Sequence, residues 1–181
     1  LGSAVASPFS RIFTGHSGID PYTHCVSDVY QDLFGEGSFI GKAIFDVEAF
    51  ETALEGRVPE NALLSHDLFE GNLARAGLAS DIELLDDFPA RYHVYMRRAH
   101  RWVRGDWQLL PWALGIGRKA ALAPISTLGR WKLFDNLRRS LVAPSLLLLL
   151  LFSWTIGVGP AWVWSALVAV LVAFPLFVNI A

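Results

Sequence analysis

Charge disappears from the end of this 181-residue chain: no Asp, Glu, Lys, Arg or His occurs from Leu141 to Ala181. Cysteine is nearly absent. A lone Cys25 excludes an intrachain disulfide and any cysteine-cluster metal site, and it reads as a small semi-buried apolar residue. Net charge is close to balance at −2, and no long basic run is interleaved with aromatics, so nucleic acid is not an expected partner. Leu1–Ser10 lacks the charge and apolar core of a signal peptide. The chain starts at Leu1, not Met, and stops inside an apolar run, so it reads as a piece of a longer protein.

What is present falls into two unlike parts. Residues 1–140 carry every charged side chain and read as an ordinary soluble protein without internal repeats. The overall hydrophobic fraction of 53% comes largely from the rest. Leu141–Val158 contains six consecutive leucines, Leu146–Leu151, and Ala161–Ala181 is a second apolar run. A bilayer crossing needs about 20 apolar residues, so each run predicts a transmembrane helix. Gly157-Val158-Gly159-Pro160 predicts the turn between them, flanked by Trp154, Trp162 and Trp164. The competing reading is a buried hairpin. Arg118, Lys119, Arg130, Lys132, Arg138 and Arg139 precede the first run, which predicts a cytoplasmic soluble part. Residues 111–140 mix those cations with Trp112, Leu114, Ile116, Trp131 and Phe134. They read as an amphipathic linker on the bilayer surface, or as a soluble helix pair packed on the domain.

Along the soluble part, Leu1–Thr23 reads as loop and Val26–Phe34 as a short strand or helix. Gly35-Glu36-Gly37 fits a plain turn or a ligand-approach loop. Ile44–Val47 and Ile82–Leu85 predict strands, and Asp86–Pro89 a turn. Asp46 is placed to cap a helix over Glu48–Glu55 that ends at Gly56. Leu68–Ala76 predicts a helix closed by Gly77, and Arg91–Trp107 a longer one.

Two constellations carry chemistry. Asp67, in Ser65-His66-Asp67, stands where an apolar stretch meets a helix. It reads as a helix cap, with Glu70 completing a capping box, or as a catalytic carboxylate. Arg98, Arg101 and Arg104 repeat at spacing three, which predicts one shared helix face, beside Arg97 and His100, and Trp102 and Trp107 back them. Guanidinium groups bind phosphate oxygens in pairs of hydrogen bonds, and flat rings stack on sugars. The pattern therefore suits a nucleotide-sugar site, and it equally suits a solvated basic face or contact with lipid headgroups.

Ser65-His66-Asp67, followed by Arg98-Ala99-His100-Arg101-Trp102, resembles the TED and QxxRW motifs of processive membrane glycosyltransferases. Ser-His replaces Thr-Glu, and Arg98 stands in place of Gln. Asp20-Pro21-Tyr22-Thr23, the string from Val26 to Ser38, Gly56-Arg57-Val58-Pro59-Glu60-Asn61 and His100–Gln108 look like the glycosyltransferase domain of cyclic β-1,2-glucan synthases.

That resemblance implies an α/β fold. Residues 1–110 would be the C-terminal half of a GT-A-like nucleotide-sugar domain, 111–140 the interfacial segment and 141–181 two transmembrane helices. It implies inverting transfer of glucose from UDP-glucose to a β-1,2-glucan acceptor at the cytoplasmic face of a bacterial inner membrane. Asp67 matches the base position. Arg98, Arg101 and Trp102 match the donor-diphosphate motif, and His66, Arg104, Asp106 and Trp107 are expected to line the site. Mg²⁺ or Mn²⁺ would be held by residues outside this chain, because Asp28-Val29-Tyr30-Gln31-Asp32 has the wrong spacing for the family's DxD. The remaining regions of the parent protein and the lipid bilayer are the implied partners. The alternatives are another processive synthase of the cellulose-synthase kind, or a non-catalytic membrane anchor.

Overall fold

The computed structural model describes residues 7–13, 29–39, 41–59, 61–63, 66–79, 81–82, 88–157 and 159–180, with the side chains of 11–13 and 175–180 left aside. The described elements are α1 (Pro8–Phe13), α2 (Val29–Phe34), α3 (Val47–Leu54), α4 (Asp67–Ala74), α5 (Tyr92–Gln108), α6 (Leu110–Leu114), α7 (Gly117–Leu122), α8 (Thr127–Ile156) and α9 (Ala161–Ile180). Among the described residues there is no strand, so the expected α/β sheet is corrected to an all-helical arrangement.

The reason is visible at the first expected strand. A strand needs a neighbour for its backbone N–H and C=O groups, whereas a helix satisfies them internally. Residues 42–46 join no strand, Ile44 and Phe45 stand exposed, and the Phe45 ring packs tilted against Phe50, with centroids 4.8 Å apart, instead of entering a core. Residues 83–87, which hold most of the second expected strand and part of the expected turn, lie outside the described residues, as does Cys25. Pro8–Phe13 is helical where a loop was expected, and Val29–Phe34 takes the helical alternative.

Several helix ends follow local chemistry. The Asp46 side chain accepts from the Ala49 N–H at 2.9 Å, and Gly56 follows α3 in the left-handed region. α4 closes earlier than expected, at Arg75, which itself adopts φ +60°. The α5 prediction matches to within one residue at each end.

The core is small. Phe69 and Leu73 of α4 meet Leu109, Trp112, Ala113, Ala123 and Leu133. Phe69 and Trp112 pack edge to face with centroids 4.9 Å apart. Gly71 lets the Phe39 segment lie on α4, because a Cβ there would come within 2.5 Å of the Phe39 Cβ. Phe9 of α1 packs its ring among Phe88, Tyr92 and Tyr95 at the start of α5.

α8 joins this core to the apolar end without a break. Ser126 caps it, its hydroxyl accepting from the Gly129 N–H at 3.0 Å. Gly129, Lys132, Leu133 and Leu137 bury one face of its first half, at spacings of three and four. Past Ser140 the helix is uncharged, and Pro144 falls inside it. The proline cannot donate to the Ser140 carbonyl, so the ladder is interrupted near the point where the charges stop. The expected linker of residues 111–140 is thus α6, α7 and the first half of α8 itself.

Among the described residues one helix, Thr127–Ile156, is long and apolar enough to cross a membrane, and 6% of its most apolar stretch is buried inside the protein. The described apolar part of α9, Ala161–Phe174, is shorter than a crossing of about 20 residues requires. Among the described residues, the expectation of two transmembrane helices is corrected to one candidate span.

Candidate functional site

The N-terminus of α4 holds the candidate base. His66 is the extended residue before the helix, and Asp67 is the first helical residue. The His66 backbone N–H donates to Glu70 Oε1 at 3.2 Å, and no side chain caps the helix from His66, so the expected Asp67 cap with its Glu70 capping box is not formed. Asp67 and Glu70 both lie in the first turn, where the helix dipole favours negative charge. Gly41 approaches from the other side at φ +100°. A Cβ there would fall 2.5 Å from Asp67 Oδ2, so a side chain at 41 would displace the carboxylate.

Next to Asp67 lies a polar cluster centred on a buried carboxylate. His66 Nε2 donates to Asp106 Oδ1 at 3.1 Å, and the side-chain amide of Asn136 in α8 donates to the same oxygen. Asp106 is only 7% exposed. A buried carboxylate is costly unless hydrogen-bonded, and two donors meet that need here. The bond to Asp106 makes Nε2 the protonated ring nitrogen. His66 Nδ1 is buried with no hydrogen-bond partner. Gly105 makes the arrangement possible: a Cβ there would sit 3.0 Å from His66 Cδ2. The imidazole therefore lies directly on the backbone of α5.

α5 divides the expected ligands between faces. At about 100° per residue, Trp102 lies about 40° and Arg98 about 80° round the helix from Asp106, whereas Arg101 and Arg104 lie about 140° and 160° away. The Arg98 guanidinium sits over the Trp102 ring at 5.0 Å. Arg101 and Arg104 are exposed. Trp107 points elsewhere again, its Nε1 donating to the Ser140 hydroxyl at 3.1 Å. The structure thus brings His66 and Asp106 together beside Asp67 and stacks Arg98 on Trp102. It does not gather Arg98, Arg101 and Arg104 on one face as the spacing suggested.

The glycine-flanked segment before α3 serves packing. Lys132 of α8, 5% exposed, donates to the carbonyls of Glu36 at 3.2 Å and Gly37 at 2.9 Å, and its ammonium lies 4.9 Å from the Tyr30 ring centroid. Gly37 N–H donates to the Ala76 carbonyl at 2.9 Å. This favours the turn reading of Gly35-Glu36-Gly37. No three His, Cys, Asp or Glu side chains converge on a metal position among the described residues.

Asn136, Gly105 and Gly41 escaped the sequence reading. Gly105 lay inside a family-like string beside Asp106, which was a signal. Asn136 sits among charges in an amphipathic stretch, and nothing local marks it.

No protein-family model matches the chain. Over 174 residues it is 52% identical to the cyclic beta-(1,2)-glucan synthase NdvB of Rhizobium meliloti (strain 1021). The chain corresponds to a segment of that synthase. The match takes in 96% of the chain and spans 6% of the length of that synthase. The cluster around Asp67 and the Arg98–Trp102 stack thus lie within the stretch that matches that synthase.

Proposed function

We propose that this synthase segment carries the catalytic base and part of the donor site for transfer of glucose from UDP-glucose to a growing β-1,2-glucan. The observation that carries the reading is the half-buried His66–Asp106–Asn136 cluster holding the helix start that presents Asp67, within a chain so similar to a segment of a cyclic glucan synthase. A helix start alone does not call for a hydrogen-bonded network of three helices behind it.

In this reading Asp67 takes the proton from the acceptor hydroxyl as that oxygen attacks the anomeric carbon. The bond from that carbon to the diphosphate oxygen breaks, UDP leaves, and the anomeric configuration inverts. Arg98, steadied on Trp102, stabilises the charge on the departing diphosphate. Arg101 and Arg104 reach the donor only from the outer face of α5, so their share is smaller. His66 and Asp106 hold the base, and Trp107 anchors α5 to α8. Mg²⁺ or Mn²⁺, with ligands outside this chain, would add charge neutralisation at the donor. The cations that precede the apolar half of α8 support a site at the cytoplasmic face of a bacterial inner membrane.

The exposure of Arg101 and Arg104 favours one second reading, contact with anionic lipid headgroups. Headgroup contact tolerates lysine because charge suffices, whereas paired bonding to a diphosphate does not.

UDP release and glucan formation in membranes bearing the full-length synthase test the main reading. Wild type should turn over, and Asp67→Asn should bind UDP yet lose roughly a hundredfold or more in rate, the upper end of what a general base contributes. Glucan made by Asp67→Asn at the wild-type rate would show Asp67 to be a structural residue.

A further inference from the structure

We propose that Asn136 is a positioning residue, which acts through Asp106 and His66 to fix the Asp67 carboxylate. The inference rests on the assignment of Asp67 as base.

Three helices meet in this cluster. Asn136 comes from α8, Asp106 from α5 and His66 from the start of α4. Asp106 Oδ1 accepts from both the amide and the imidazole, so α8 and α4 are joined through one oxygen. The imidazole has little freedom to move independently. Gly105 backs its ring, and the His66 N–H is clamped on Glu70 Oε1. Asp67 follows in the next peptide unit, with Gly41 against its carboxylate. A shift of His66 therefore carries the carboxylate with it, toward or away from Gly41.

The cluster also has a form that bulk stability does not demand. Buried polar groups of this kind are often replaceable by apolar residues at no loss of stability, so their selective use is in setting register. The amide of Asn136 suits that use. It donates without adding charge, and so fixes Asp106 while leaving its bond to His66 intact. A lysine there would compete with His66 for the carboxylate.

The test compares kcat and KM for UDP-glucose in membranes carrying the full-length synthase, with rates expressed per amount of synthase. Asn136→Ala should lower kcat roughly tenfold, because small displacements of a reacting group cost rates of that order. KM should stay within about twofold, since the donor cation and ring are not touched. Exchanging the partners, Asp106→Asn together with Asn136→Asp, restores a donor–acceptor pair and should recover at least about half of the lost rate on a logarithmic scale.

A kcat within about twofold of wild type overturns the proposal, as does a KM that rises more than kcat falls. So does an exchanged pair that stays as slow as the single variant. If Asn136→Ala does not accumulate, Asn136→Ser is held to the same criteria. Asp67→Asn is measured in parallel. A wild-type rate there removes the base assignment and this inference with it. A lost rate there beside an unimpaired Asn136→Ala removes the positioning role alone.

Discussion

The two halves of α8 belong to one unbroken helix and behave as if made for different molecules. In the first half, Lys132, Leu133 and Asn136 each reach a named partner in another element, and a face of three- and four-residue spacing is buried. In the second half Leu147, Leu148, Leu151 and Phe152 stand exposed, and Ser153, the buried residue there, bonds within its own helix to the Leu150 carbonyl at 2.9 Å. The difference teaches that a helix's continuity says nothing about its surroundings. The first half has an amphipathic stripe and packs on protein. The second is apolar all round, and only a partner as apolar as itself, protein or lipid, can cover it.

Perturbations of matched size in each half sharpen this contrast. The largest effect belongs to the packed half: Phe69→Ala should destabilise by about 3–5 kcal/mol, because the ring is fully buried against Trp112. A lower midpoint of thermal inactivation would register it, and an unchanged midpoint would mean the core is not closed as described. In the apolar half, Leu148 is 64% exposed, so a polar substitution there would be nearly silent in water. Facing lipid, Leu148→Asp should cost about 3 kcal/mol and move protein out of the alkali-resistant membrane fraction. If Leu148→Asp remains fully membrane-bound, the contrast between the halves collapses.

At Lys132, the Met substitution should lose about 2 kcal/mol, since two carbonyls would forfeit a charged donor. Faster tryptic cleavage after Lys42 is the expected sign. The smallest effect lies far from α8. Asp46→Ala should cost about 1 kcal/mol through the lost cap on α3, read as a small drop in the same inactivation midpoint. A drop as large as that of Phe69→Ala would show that α3 supports the core.

Those magnitudes track how much of the molecule the sequence disclosed. The α3 cap and the extent of α5 were legible because both depend on neighbours a few residues apart, Asp46 to Ala49 and one helical turn to the next. The apolar run of α8 was legible from composition. The strand at Ile44–Val47 was misread because β-branched and aromatic residues signal a pleated surface only where a partner strand exists. At the site, His66 and Asp106 were each singled out, but their bond spans 40 positions and no local pattern announces it. Arg98, Arg101 and Arg104 were placed on one face by a spacing of three, yet each step of three falls about 60° short of a full turn. Over two steps that drift carries Arg104 to the solvent side.

Lys132 has one further consequence, for the order in which the protein is made. Its carbonyl partner Gly37 precedes it by 95 positions, and Tyr30 precedes its own partner Trp131 by 101. At about 5–20 residues per second, the segment around Gly37 waits some 5–20 s after synthesis before its anchor exists. Within this segment it leaves the ribosome well before the residue that fixes it. Its protection from a protease during translation would therefore time the formation of α8.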